Sequence, residues 1–214
     1  MSELASSVAE LARLLIGHLG DAQASGESAE LSLFAAHLRP LASADRIQAR
    51  PRLGEDIAAR RYLDEALSAT SSGLSPLAYA VAELAPALAW TQNPNYRRAP
   101  PSAGFLENYG YAVIAGPEGG APALTRHPDL ALGLLLLGPQ TDYPAHHHPA
   151  AELYIPFGLA YWRMGTKPWE SRLAGAVIHH PPNITHATRS GDAPLAAIYL
   201  WTGDLATHAR LVGG

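Results

Sequence analysis

The chain has 214 residues, 48% hydrophobic and 16% charged, which supplies one domain with a sizeable core and speaks against wholesale disorder. It contains no cysteine, so disulfide frameworks, thiolate metal sites and cysteine nucleophiles are excluded, and any metal must be held by its ten histidines and its carboxylates. A formal net charge of −4, with no basic run and no polybasic helix, argues against nucleic acid and against a membrane surface as partners.

Leu4, Val8, Leu11, Leu15 and Leu19 recur at three- and four-residue intervals and predict an amphipathic helix beginning near Ser2. Glu3 and Glu10, with no basic flank, make this segment a helix and not a signal peptide, so a cytoplasmic location is the default expectation. A second helix is expected over Ser28 to Leu38, stopping at Pro40. A third is expected over Glu55 to Ala69, with Gly73 as its terminator. Ser75 reads as an N-cap with Pro76 at the first helical position, opening a fourth helix toward Trp90. The proline-rich stretch TQNPNYRRAPPSAG (91–104) is the composition of an irregular connection.

From about Tyr109 the pattern changes. Short apolar runs alternate with glycine and proline: YAVIAG, LALGLLLLG, AELYIPFG, LAYWRMG, GAVIHHPP and PLAAIYLWTG. Runs of this length separated by turns are strands of a sandwich or small barrel. The longest, Leu130 to Leu137, is far too short to span a bilayer. The predicted organisation is α+β, mainly β: a helical extension and linker over 1–104, then a barrel over 105–214 that carries the site.

Within the barrel half, the segment YPAHHHPAAELY (143–154) concentrates metal-binding chemistry. Side chains alternate between faces of an extended chain, so His146, His148, Glu152 and Tyr154 would share one face of a nearly continuous strand, with His147 pointing away. Two imidazoles and a carboxylate converging on one point suit a divalent ion such as Zn²⁺, Fe²⁺ or Mn²⁺. A fourth ligand must come from elsewhere. His186 follows the Pro181-Pro182-Asn183 turn, where a returning strand brings it opposite the first three; His179 and His180 precede that turn and would serve only in a different register.

Gly138…His146-x-His148-x3-Glu152…Gly158 resembles the first cupin motif, with two extra residues between the glycine and the first histidine. Gly175-x5-Pro181-x-Asn183-x2-His186 resembles the second, with asparagine in place of glycine, a mild change because Asn tolerates left-handed backbone. Ser190 stands where an asparagine often follows the last histidine. The resemblance implies a double-stranded β-helix. More narrowly, YPAHHHPAAELY and HHPPNITHATRSGDAPLAAIYLWTGDL resemble the cupin-type dimethylsulfoniopropionate (DMSP) lyases over about residues 138–205. That family resemblance implies a carbon–sulfur lyase that cleaves DMSP to dimethyl sulfide and acrylate. It implies Tyr154 as the base, two residues beyond the metal-binding glutamate, and a substrate site lined by Tyr143, His146, Tyr154 and Trp201.

DMSP carries a carboxylate at one end and a dimethylsulfonium at the other. A weakly hydrated cation of that kind suits aromatic faces, at about 0.5–2 kcal/mol per ring, and the barrel half offers Tyr143, Tyr161, Trp162, Tyr199 and Trp201. The metal motif alone does not choose the chemistry. Another metal-dependent cupin enzyme, a dioxygenase or isomerase, and a non-catalytic small-ligand-binding cupin stay open as alternatives, as does the oligomeric state, a homodimer included.

Overall fold

Ser2 caps the first helix: its Oγ accepts from the Ala5 N–H (3.2 Å), and α1 runs over Glu3–Ala24. Val8, Leu11, Leu15 and Leu19 are buried, so the apolar stripe read from the sequence is the packed face. The computed structural model describes residues 2–26, 30–51, 53–68, 70 and 72–212.

The other helices are shorter than their sequences suggest. α2 covers Leu31–Leu38, and Ser28, where its start was expected, lies outside the described residues. The α-helix ends at Leu38, as expected ahead of Pro40, and the chain then tightens into a 3-10 turn over Arg39–Ala42. The third helix was expected from Glu55, yet only α3, Leu63–Ser68, is α-helical, after a 3-10 turn over Ala58–Tyr62; Ala69 lies outside the described residues. Tertiary pairing overrides helix propensity here. The Glu55 N–H donates to the Trp90 carbonyl (3.0 Å), and Ile57 is buried in the core. α4 covers Ser75–Leu84, with Ser75 already helical and Leu74 at the cap position. Pro86 sits in the 3-10 turn that follows, so Trp90 belongs to a strand and not to this helix. α5, Pro94–Arg98, is capped by Asn93, whose side chain accepts from the Asn95 N–H (2.9 Å).

Among the described residues, twelve strands form two sheets. The first holds β1 (Trp90–Thr91), β2 (Tyr109–Gly116), β4 (Ala131–Leu137), β11 (Leu195–Thr202), β6 (Ala151–Pro156) and β9 (Ile178–His180), in that order, with β3 (Ala123–Arg126) beside β2. The second runs β12 (Arg210–Leu211), β5 (Asp142–His147), β10 (His186–Ser190), β7 (Ala160–Met164) and β8 (Glu170–Arg172). Every pairing is antiparallel except β2 with β3. From β4 to β11 the chain crosses repeatedly between the sheets, the winding of a double-stranded β-helix. The fold is that of a cupin barrel with an N-terminal helical extension.

Alternation along the strands of the first sheet builds two cores. Leu132, Leu134 and Leu136 of β4, Leu153 and Ile155 of β6, and Ile198 and Leu200 of β11 face out and share one buried cluster with Leu11, Leu15, Phe34 and Val81 of the helices. Leu135, Leu137, Tyr154, Ala197 and Tyr199 belong to a second, inner cluster. Burial on both faces explains why Leu130 to Leu137 reads as a continuous apolar run.

Gly133 is required by the inner wall. A Cβ there would lie 2.2 Å from the Ala112 carbonyl oxygen and 2.5 Å from the Tyr199 hydroxyl. Gly133→Ala should therefore cost about 1–3 kcal/mol through overpacking and displace Tyr199. Urea unfolding followed by tyrosine fluorescence checks this, and an unchanged midpoint would show that the wall yields freely.

Candidate metal centre and substrate cavity

The strand expected to run unbroken through His146 and Glu152 is two strands in opposite sheets. β5 ends at His147, the chain turns through Pro149, and β6 begins at Ala151 on the facing sheet. Convergence therefore comes from opposed walls of the barrel, not from one strand face. On the first wall His146 is the register partner of His186 of β10, and their rings lie 4.1 Å apart. On the second wall Glu152 pairs with His180 of β9 on one side and with Trp201 of β11 on the other.

The connecting turn is tied down. Asn183 has φ 62°, the left-handed conformation that its replacement of glycine demanded, and its N–H donates to the His148 carbonyl (2.8 Å). Ser190 earns its place where an asparagine often stands. Its hydroxyl donates to the Gly138 carbonyl (2.6 Å) and accepts from the Thr141 N–H (2.8 Å), locking the loop that leads into β5.

His146, His148, Glu152 and His186, the four ligands read from the sequence, come together and are all buried. Glu152 Oε2 lies 3.1 Å from His148 Nε2 and 3.2 Å from His186 Nε2. Backbone carbonyls fix three of the imidazoles. Nδ1 of His146 faces the Pro144 carbonyl (2.8 Å), that of His148 faces Ala150 (3.1 Å), and that of His186 faces Ile184 (3.0 Å). With Nδ1–H donated in each, Nε2 is the free donor atom directed into the cluster. Aromatic rings hold two of them from behind, Tyr143 stacked on His146 (4.1 Å) and Trp201 on His148 (3.9 Å). Trp201 Nε1–H also donates to Glu152 Oε1 (2.5 Å).

Burial pushes His146 well below the usual imidazole range, and the neighbouring His186 adds to that. Burial alone would raise Glu152, but the surrounding His148, His180 and His186 outweigh it and hold the carboxyl well below its ordinary value. The site thus presents an anionic carboxylate beside an imidazole, His146, that burial keeps neutral. Burial raises Tyr154 well above a free phenol, and the Glu152 charge beside it adds to the rise.

Donor atoms of His146, His148 and His186 fall within 4.8 Å of one another, and so do those of Glu152, His180 and His186. His186 Nε2 and both ring nitrogens of His180 are buried with no hydrogen-bond partner. Orphaned buried nitrogens beside a carboxylate, with no cysteine in the chain, fit a divalent transition-metal ion. Sequence reasoning had set His180 aside for its register. The pairing of β9 with β6, which sets it across from Glu152, is not legible in the sequence.

A cavity of about 550 Å³ opens beside the cluster, walled by Glu152, Tyr154, Tyr143, Tyr199 and Trp201. Tyr109 and Tyr111 of β2 also line it and were missed, since β2 carried no motif. Three proposed wall residues do not line it, the first being His146, which lies in the cluster stacked against Tyr143. Trp162 is buried behind Tyr154, with ring centroids 6.1 Å apart, and Tyr161 follows the strand alternation to the opposite face of β7. From the linker, Tyr96 reaches in and shares a hydroxyl contact with Tyr143 (3.2 Å). No helix among the described residues is long and apolar enough to cross a membrane.

The sequence model of the dimethylsulfoniopropionate lyase family matches residues 32–197. The dimethylsulfoniopropionate lyase DddQ of Ruegeria pomeroyi is 36% identical over 106 residues, 49% of this chain and 51% of that protein, so the chain spans about half the length of the curated relative it matches. The crystal structure of DMSP lyase DddQ from Ruegeria pomeroyi superposes with a TM-score of 0.71 at 24% identity, covering 94% of this chain and 96% of the other. A chain from the crystal structures of the DMSP lyases RdDddP and RnDddQII gives a TM-score of 0.70 at 23% identity, covering 94% and 99%. The extent of the family match leaves one assignment: this chain belongs to the dimethylsulfoniopropionate lyase family.

Proposed function

We propose that the protein is a metal-dependent carbon–sulfur lyase that cleaves DMSP to dimethyl sulfide and acrylate by β-elimination. The observation that carries this reading is the position of Glu152 and Tyr154, two apart on β6, on the wall of one aromatic cavity beside a cluster of imidazoles. His146, His148, Glu152 and His186 hold the ion in this reading, and Tyr154 is the base.

A divalent ion bound by these donors supplies positive charge that favours a phenolate at Tyr154 and offsets the charge developing on the substrate carboxylate. Without that charge, burial and the Glu152 carboxylate keep the proton on the Tyr154 hydroxyl. Tyr154 Oη takes the proton from the carbon next to the carboxylate. The C–H electron pair becomes the C=C bond of acrylate, the C–S bond breaks, and neutral dimethyl sulfide departs with the C–S bonding pair. Tyr143, Tyr199 and Trp201, joined by Tyr109 and Tyr111, offer ring faces to the sulfonium and exclude water from the cavity.

We also divide the chain at residues 104 and 105, with the helical part serving as cover for the barrel. Support comes from the shared outer core and from Asn93 and Asn95, whose amides donate to the Ala209 carbonyl (3.1 and 3.0 Å).

Headspace dimethyl sulfide after addition of DMSP tests the reading. The protein should release it without oxygen, a chelator should abolish the release, and Tyr154→Phe should lose at least about 100-fold in kcat while keeping its metal. Near-normal turnover by Tyr154→Phe would remove it as base. His148→Ala, Glu152→Ala and His186→Ala should each lower both metal content and rate, and full metal occupancy in all three by elemental analysis would overturn the ligand set. Acid should weaken the metal-free fold. His180 is held at about 4 and His146 well below its ordinary value, so between about pH 6.5 and 4 the unfolded chain binds protons that the folded chain does not. The melting temperature of the metal-free protein should therefore fall from pH 7 to pH 5; a flat or rising profile would contradict neutral buried imidazoles.

A further inference from the structure

His180 lies outside the ligand set that the two motifs define, yet it is built into the same cluster. β9 places it directly across from Glu152, and it is 1% exposed. Its ring stacks on that of His186 (4.0 Å between centroids, 23° between planes) and meets Tyr154 edge-on at 5.8 Å. Nδ1 is 3.5 Å from Glu152 Oε2, at the outer limit for a hydrogen bond, and neither ring nitrogen finds a partner.

That distinguishes it from its neighbours. His146, His148 and His186 each present Nδ1 to a carbonyl two residues away, a fixed orientation with one nitrogen left over. His180 has two unsatisfied nitrogens in a buried site, an arrangement that leaves the desolvation cost of both uncompensated. A cation shared with Glu152 and His186, whose donor atoms lie within 4.8 Å of those of His180, removes part of that cost.

We infer that His180 is a further ligand of the ion, so that the centre comprises four imidazoles and one carboxylate, with His186 common to two overlapping donor triads. This rests on the reading of the cluster as a metal centre. The alternative is a positioning role, in which His180 only orients the Glu152 carboxylate.

The test uses the full chain loaded with Co²⁺ and proton NMR in H₂O, where each ligating imidazole shows a strongly shifted, exchangeable ring N–H. The wild-type protein should give four such resonances, and His180→Phe, which keeps a ring against His186 but no nitrogen, should give three. His180→Gln, a polar replacement in case the Phe variant fails to fold, should lose the same resonance. Three resonances in the wild type, unchanged in either variant, would overturn the inference and leave His180 a positioning residue, even if Co²⁺ affinity dropped about 10–100-fold as loss of an outer hydrogen-bond partner can produce. His148→Ala separates the two levels. If it still binds Co²⁺ at full stoichiometry and affinity, the metal-centre reading itself fails; if it loses the ion while the His180 variants keep every shifted resonance, only the present inference fails.

Discussion

A carboxylate buried at 1% exposure inside a barrel is the constraint around which the rest is arranged. Removing such a charge from water costs several kcal/mol unless donors surround it. Glu152 has Trp201 Nε1–H on one oxygen, and His148 and His186 nitrogens near the other. Trp201 is fixed by its strand and the two imidazoles by their Nδ1–H bonds to carbonyls, so the carboxylate faces groups that cannot easily turn away. A site of this kind sits on sheet walls, whose registers are set by extensive ladders, and not on loops.

The outer helices contribute indirectly. By burying Leu153 and Ile155 on the far face of β6, they leave Glu152 and Tyr154 no alternative but the lumen, because a one-residue slip would put the carboxylate into an apolar core. The register of β6 against β11 is therefore coupled to the cover supplied by α1, α2 and α4. The linker joins in from the other side, where Asn93, Asn95 and Tyr96 fasten the end of the chain and one cavity wall.

Much of this was legible in the sequence, but unevenly. The apolar stripe of α1 and the six long apolar runs mapped onto a helix and strands because each pattern is local. His146, His148 and Glu152 were grouped by parity and His186 by the turn before it, though the parity argument was incomplete: His146 and Glu152 lie on opposed sheets, and even numbering survived only because the turn between them preserves it. Short strands such as β3, β8 and β12 were invisible, since two to four residues carry too little periodicity. His180, Tyr109 and Tyr111 were missed for a common cause. Their importance comes from non-local pairing, β9 with β6 and β2 with β4, which no spacing along the chain encodes. Tyr161 and Trp162 erred in the other direction: Tyr161 takes the opposite face of β7, and Trp162 faces inward but packs against Tyr154 without lining the cavity.

The same side chains serve the cluster and the cavity, which limits how either can vary. Tyr143 stacks on His146 with one face while it lines the cavity, and Trp201 does the same for His148 while bonding Glu152. A change that reshapes the cavity through either ring therefore also frees an imidazole that the stack had fixed. Tyr199, which touches neither imidazole in this way and is positioned by Gly133, can be altered with less effect on the donors. If substrate preference has diversified on this barrel, the physical expectation is that it did so along β2 and at Tyr199, the walls that do not also hold the cluster in place.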